Sequence, residues 1–189
     1  LLRSPLFSAG LRALFFTLGG LFAVPAGMLC DMLGVKRVLV LGTLGPLLAG
    51  AIFLTSDPWI LAGLCIALGT TFGFSSTGGQ SYLLGAATPG AIGTASAGYF
   101  LSGTFGTATG NLIAGPIADS LGYYQLGTIA CIAAACITAL AIFLLPSLPH
   151  NAESERSASR SFAGYFALLR RKEVRLLLGI RYFPTSYWG

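Results

Sequence analysis

Apolar residues run in long blocks along this chain instead of alternating with polar ones. Crossing the ~30 Å hydrocarbon core of a bilayer takes ~20 mainly apolar residues in a helix. Five blocks meet that length, roughly over positions 13–33, 38–54, 59–84, 95–118 and 126–145, and a sixth begins near Leu176. Lipid offers no partner to a free peptide N–H or C=O, so each block is expected to be a helix. Short polar punctuation separates them: Gly34 to Arg37, Thr55 to Pro58, Gly85 to Gly93 and Asp119 to Gln125. Connections that short make neighbouring helices antiparallel. The pattern predicts an all-α, polytopic transmembrane helical bundle.

Composition sharpens this picture. Hydrophobic residues make up 54% of the chain and charged residues 9%, where a soluble domain carries about a quarter. Between positions 38 and 148 the only formal charges are Asp57 and Asp119. A water-soluble fold could not keep so much surface uncharged and stay monomeric. The net charge of +5 comes largely from Lys36, Arg37 and the stretch from Arg156 to Arg181, flanking apolar spans. It therefore reports membrane orientation, with no nucleic-acid groove to present.

Lys and Arg collect on the cytoplasmic side of short loops. With positions 34–37 cytoplasmic, alternation puts 147–175 on the same side and the Asp57 and Asp119 loops on the other. Arg3 and Arg12 dissent mildly. The expected location is a multi-pass protein of the plasma (inner) membrane. Three segments follow: transmembrane helices over 1–146, a polar cytoplasmic linker over 147–175 and the start of a further helix over 176–189. Within the linker, Phe162, Tyr165, Phe166 and Leu169 recur at helical spacing beside Arg170, Arg171, Lys172 and Arg175, which suits either a helix at an anionic leaflet or a simple helix start.

Cys30, Cys65, Cys131 and Cys136 lie in apolar stretches without zinc or redox spacing, and His150 sits alone in a loop. No metal and no cofactor is expected. An intramembrane enzyme would need ionisable or nucleophile–base pairs at one membrane depth, and the middles of the five spans hold no Asp, Glu or His.

The most specific local signal is Gly27, Asp31, Gly34, Lys36 and Arg37: glycine, three residues, aspartate, two residues, glycine, one residue, two bases. Gly27 lets a neighbouring helix come close, and Gly34 permits a turn with positive φ. Asp31 can pair with a base or cap a neighbouring helix. Gly115, Asp119 and Gly122 repeat the spacing three spans later, hence on the opposite face of the membrane. An inverted repeat of three helices produces that arrangement.

The first pattern resembles the loop between the second and third helices of the major facilitator superfamily, and the later spans and long basic linker are similar too. The resemblance implies an N-terminal bundle with a 3+3 inverted repeat. The chain would supply helices two to six and the start of the seventh, with the first helix and the C-terminal bundle of the same polypeptide as partners. Gly115-Pro116 resembles the glycine-proline motif of the family's antiporters, although Asn111 replaces one expected glycine and Asp119 follows in place of paired glycines. Cys65 stands where proton-coupled members often carry arginine, which speaks against proton antiport through that position.

By the same resemblance, the function expected is secondary active transport of a small solute, with or without a coupling ion, by alternating access in the lipid bilayer. A transporter-like sensor or scaffold without flux is the alternative. Gly69, Gly73, Ser76 and Gln80 share one face of the third block, and Gly103, Gly106 and Gly110 form a stripe on the fourth beside Thr104, Thr107 and Asn111. Polar groups in a span cost free energy unless paired or facing water. Thr70, Ser76, Gln80, Thr107 and Asn111 are therefore candidates to line a solute pathway. For Gln80 and Asn111, interhelical hydrogen bonding competes with lining; for glycines and serines, close packing is the leading role.

Overall fold

Proline decides the shape of the second apolar block. The structure, a computed structural model, describes residues 5–148. Within them this block is two helices, α2 (Val35–Gly42) and α3 (Gly45–Ile52), where the sequence predicts one. Pro46 has no N–H to offer the Gly42 carbonyl and its ring crowds that position, which breaks the ladder. A tight turn bridges the gap: the Thr43 N–H donates to the Leu39 and Val40 carbonyls, and its hydroxyl also donates to Val40 O at 2.7 Å.

The remaining helices are longer than the apolar blocks that announce them. They are α1 (Pro5–Leu33), α4 (Pro58–Ala86), α5 (Ile92–Leu121) and α6 (Tyr123–Leu144), with a single 3-10 turn at Pro89–Ala91. No strand occurs among the described residues. Asp57 starts α4 as its N-cap, accepting from the N–H groups of Trp59 and Ile60 at 2.8 and 3.1 Å, with Pro58 in the first turn. Asp57 thus satisfies donors that would otherwise be orphaned at the helix start. The expected linker from position 149 onward, and the expected further helix at 176–189, lie outside the described residues.

Helix α4 is the hub, because its glycines let three neighbours reach its backbone. A Cβ at Gly69 would stand 2.8 Å from Phe15 O, and one at Gly73 would stand 2.7 Å from Gly19 O. Thr77 donates to Ala23 O at 3.4 Å. These contacts climb α1 and α4 together, so the two helices run parallel. On the other side, Gly78 meets the Leu39 backbone, Gly45 meets Thr71 and Gly42 meets Ser75, so α2 and α3 run antiparallel to α4. Helix α3 then packs antiparallel on α6 through Gly50, Gly127 and Cys131.

Very little is buried. Val38 is the one large side chain fully enclosed among the described residues, packed with Ala26 and Cys30. Large apolar side chains cover the outside instead, Leu6 at 83%, Trp59 at 86% and Phe143 at 82% exposure among them. In water this would be a collapse-prone surface; in lipid it is a matched one. Four stretches are long and apolar enough to cross a membrane: Pro5–Leu33, Val35–Ile52, Pro58–Ala86 and Tyr123–Leu144. Helix α5, expected as a fifth, has 30 residues but so many Gly, Ser and Thr that it falls short in apolarity.

Alanine substitution separates packing glycines from idle ones. Gly73→Ala forces a methyl against backbone and should cost roughly 1–3 kcal/mol by overpacking. Gly63→Ala meets open space within its helix and should stabilise by roughly 0.5–1 kcal/mol. Thermal midpoints of the two variants in detergent should move in opposite directions.

Candidate functional site

The candidate site is built around a turn that only glycine makes easily. Helix α1 ends at Leu33, Gly34 takes φ 86° and ψ 143°, and α2 begins at once with Val35. Other residues adopt that backbone only with strain. The Gly34 N–H closes α1 by donating to Cys30 O at 3.1 Å, and Gly34 O accepts from Arg37 N at 3.2 Å and Val38 N at 3.5 Å. Val38 then plugs into the space between Ala26 and Cys30, fixing the angle of α2 against α1.

This geometry puts charges at the disfavoured ends of both helices. Asp31 lies in the last turn of α1, where the dipole is negative, and Lys36 and Arg37 lie in the first turn of α2, where it is positive. Asp31 and Arg37 are exposed and Lys36 is half-buried. Asp57 shows the contrast, since it sits at a helix start and caps it. Charges placed against their own dipoles gain most from partners on another element.

The second turn has the same construction. Helix α5 ends at Leu121, Gly122 takes φ 86° and ψ 162°, and α6 starts at Tyr123. Gly122 N donates to Ala118 O at 2.9 Å and Gly122 O accepts from Leu126 N at 3.2 Å, matching the bonds that Gly34 makes to Cys30 and from Val38. Asp119 is exposed in the last turn of α5 as Asp31 is in α1. No base follows; Tyr124 and Gln125 hold that place. Gly115 and Pro116 lie one turn earlier within α5, where the Ser120 hydroxyl donates to Pro116 O at 2.7 Å.

A pseudo-twofold relation ties the copies together. Pairing Gly34 with Gly122 also pairs Thr43 with Cys131 and Gly50 with Thr138. Thr138 donates to Thr43 O at 3.1 Å. The related pair, Cys131 and Gly50, is also in contact, since a Cβ at Gly50 would stand 2.8 Å from the Cys131 sulfur. The axis thus passes through the α3–α6 crossing.

The pathway candidates do not form one cluster. Thr70 and Ser76, six residues apart on α4, point about 120° apart around the helix axis. Their hydroxyls donate back to Ala67 O at 2.7 Å and Gly73 O at 3.3 Å, so neither needs water. Gln80 is exposed near the end of α4. Gly69 and Gly73, on the same side as Gln80, are filled by α1. Thr107 donates to Gly103 O at 3.0 Å, and Asn111 is exposed on α5.

Two contacts had no usable signal in sequence. Tyr82 donates to Pro146 O at 2.9 Å, tying the end of α4 to the chain leaving α6. Phe53 stacks on Tyr123 with centroids 6.3 Å apart, joining the end of α3 to the start of α6. Alternating hydroxyl or aromatic positions predict neither, because each pair meets only once the bundle has formed.

Long helices clad in apolar side chains, with a helix–glycine–helix unit used twice in opposite orientations, define a polytopic membrane protein built on an inverted repeat. The family model of the Major Facilitator Superfamily matches residues 4–189, and the chain belongs to that family. Neither a curated protein nor a solved structure matches it. Membership carries membrane transporter activity, a small solute as the class of ligand and a lipid bilayer as the surroundings.

The two turns make matched tests. Gly34→Ala and Gly122→Ala should each cost roughly 1–3 kcal/mol, the price of forcing a side chain into that backbone region. For a protein of this size that lowers the thermal midpoint by roughly 2–4 °C per kcal/mol. A variant at either position that melts with wild type would break the equivalence of the turns.

Proposed function

We propose that the protein is a secondary carrier, moving a small solute by alternating access as one helical bundle rocks against another. The observation that supports this best is the turn at Gly34, with Asp31 before it and Lys36 and Arg37 after it, where both charge signs sit against their own helix dipoles. Such charges favour a state in which a neighbouring bundle supplies partners, and they release cheaply when it withdraws. That is the behaviour of a latch. Gly27 lies inside α1, where a Cβ would make only an ordinary 3.9 Å contact with Thr77 and not the close approach expected of it. With positions 34–37 and 147–175 on the cytoplasmic side of a plasma membrane, the latch closes the inner face.

Solute contact on this half is assigned to Ser76 and Gln80. Both lie on the α1 side of α4, where Gln80 is exposed beyond the contacts that fill Gly69 and Gly73. Thr70 lies around the helix from them. The exposed turn at Asp119 and Gly115-Pro116 forms the opposite-face counterpart of the latch.

The latch is tested by Asp31→Asn, which removes charge while keeping shape. A hydrogen bond to a charged group is worth roughly 1.5–3 kcal/mol, or ~10- to 100-fold in the rate of the step it governs. Flux across a solute panel in proteoliposomes should fall by that order while the amount of protein in the membrane stays near wild type. A parallel loss of abundance and flux would assign Asp31 a purely structural role.

A further inference from the structure

The first apolar block begins at position 13, which leaves Arg12 just outside it; α1 instead begins at Pro5 and carries Arg12 about two turns into the helix. Its depth follows from the α1–α4 contact. Phe15 meets Gly69, Gly19 meets Gly73 and Thr77 bonds Ala23 O, a constant offset of 54 residues. Pro5 is therefore level with Trp59, and Arg12 with Ile66. Trp59 stands 86% exposed at the head of α4, the place of an interfacial aromatic. Seven residues of helix put Arg12 roughly 10 Å beneath it. The acids are engaged or distant: Asp57 caps α4, Asp31 lies at the far end of α1, and Asp119 is twenty residues from Tyr99, where α5 meets α4. What the Arg12 guanidinium meets is aromatic, its central carbon lying over the Phe16 ring 5.8 Å from the centroid.

The rings fix which side of the bundle this is. On one flank of the α1–α4 pair, Phe22 and Phe74 meet edge to face, and Phe74 packs on the Ala26, Cys30 and Val38 cluster that brings in α2. Arg12 and Phe16 stand on the other flank, where Phe72 meets Phe15 at 5.1 Å and Phe16 at 6.5 Å between centroids. Phe72, Ser76 and Gly79 form one stripe of α4, at i, i+4 and i+7. Gly79 is met by the Tyr99 hydroxyl, so α5 lies on this flank too. A wall therefore runs from Arg12 over Phe16 and Phe72 to Ser76, within the bundle's own concave side. A cation at membrane depth is costly against lipid and belongs toward a bundle interior or a wet cavity.

We infer that Arg12 sets the substrate class: it receives an oxyanion of the solute, a carboxylate or a phosphate group, at the end of the pathway away from the Gly34 turn. The inference rests on the carrier reading and on Ser76 as a solute contact. A guanidinium offers a planar fork of donors that fits either oxyanion two bonds at a time. Attraction to a ring face needs no hydrogen bond, so contact with Phe16 leaves those donors for a ligand. A phospholipid headgroup presents the same oxyanion from the bilayer, and the test separates the two sources.

The test uses the intact polypeptide in phosphatidylcholine vesicles and a panel of small carboxylates and phosphate esters, each paired with its neutral amide or alcohol. Two readouts are taken for every solute, the thermal midpoint and the flux. Wild type should be stabilised by anionic members and transport them, and should ignore their neutral counterparts. Arg12→Gln should raise the apparent Kd and KM for those anions roughly 10- to 100-fold, the loss of a charged hydrogen bond. Its abundance and its midpoint without solute should stay near wild type. Arg12→Lys keeps the charge but not the fork and should fall between; it carries the same test if the glutamine variant does not reach the membrane. Anion stabilisation that needs Arg12 but comes without flux would keep the anion site and overturn the carrier reading. Flux of neutral solutes that Arg12→Gln leaves untouched would do the reverse. Stabilisation by added phosphatidylglycerol that needs Arg12, with no response to any solute anion, would make the ligand a headgroup and overturn the assignment to solute. Anion responses equal in wild type and Arg12→Gln would overturn it as well.

Discussion

Everything in this bundle depends on how closely two helix backbones can approach. In lipid the hydrophobic effect gives helices no reason to associate, because neighbouring chains are as apolar as the side chains themselves. What remains is dispersion, which needs contact over many atoms, and interhelical hydrogen bonds. Gly69 and Gly73 on α4, Gly42 and Gly45 at the α2–α3 break, and Gly50 with Gly127 on the α3–α6 crossing are where that contact is made. Each brings backbone against backbone or side-chain base. That explains how a fold with one large fully buried side chain among its described residues holds a defined arrangement. Its interior consists of backbone surfaces, which such a count of buried side chains does not register.

That constraint also sets what could be read from the sequence. Helix existence was legible, because lipid permits no other local structure and the apolar blocks are long. The need for a left-handed residue at Gly34 was legible from the spacing of Gly27, Asp31 and the bases, and the same φ at Gly122 accords with the weaker echo. The break at Thr43 was not legible despite Pro46, because an apolar run masks a missing hydrogen bond that costs nothing in hydropathy. The face shared by Gly69, Gly73 and Gln80 was legible as a face, but its surroundings were not. Glycine at helical spacing signals either a close neighbour or an open path, and only the approach of Phe15 and Gly19 decides between them. Hydroxyls mislead for a related reason. Thr70, Ser76 and Thr107 carry polarity that their own helix backbone already absorbs.

The two glycine turns share a backbone but differ in what surrounds them, and the difference is chemical. Gly34 is followed by Val35, Lys36 and Arg37; Gly122 is followed by Tyr123, Tyr124 and Gln125. The tyrosine end is held by aromatic contact, with Tyr123 stacked on Phe53, and Trp59 and Tyr124 stand exposed beside it in the manner of an interfacial belt. Aromatic stacking of that kind is indifferent to salt and to charge on a partner. The basic end is held instead by apolar packing of Val38 between Ala26 and Cys30, and its side chains carry charges that their own dipoles oppose. One construction therefore gives an aromatic end and an electrostatically responsive end. Under the proposed alternating access, the charged end is the one whose partners change between states.

The repeat further implies that sequence equivalence and packing equivalence are different things. Related positions on α1 and α5 hold Phe15 against Gly103, Leu18 against Gly106 and Phe22 against Gly110. Were the twofold copies required to match in side-chain volume, these differences would be disabling. What matches instead is backbone: the length of the helix, the positive φ at its end and the immediate start of the next helix. Volume needs to balance only across each interface, so bulk can sit on either partner. A duplicated unit can then diverge freely on its faces while its turns stay fixed. The turns carry the geometry that no other residue type supplies, and the faces carry the identity of whatever each copy must hold.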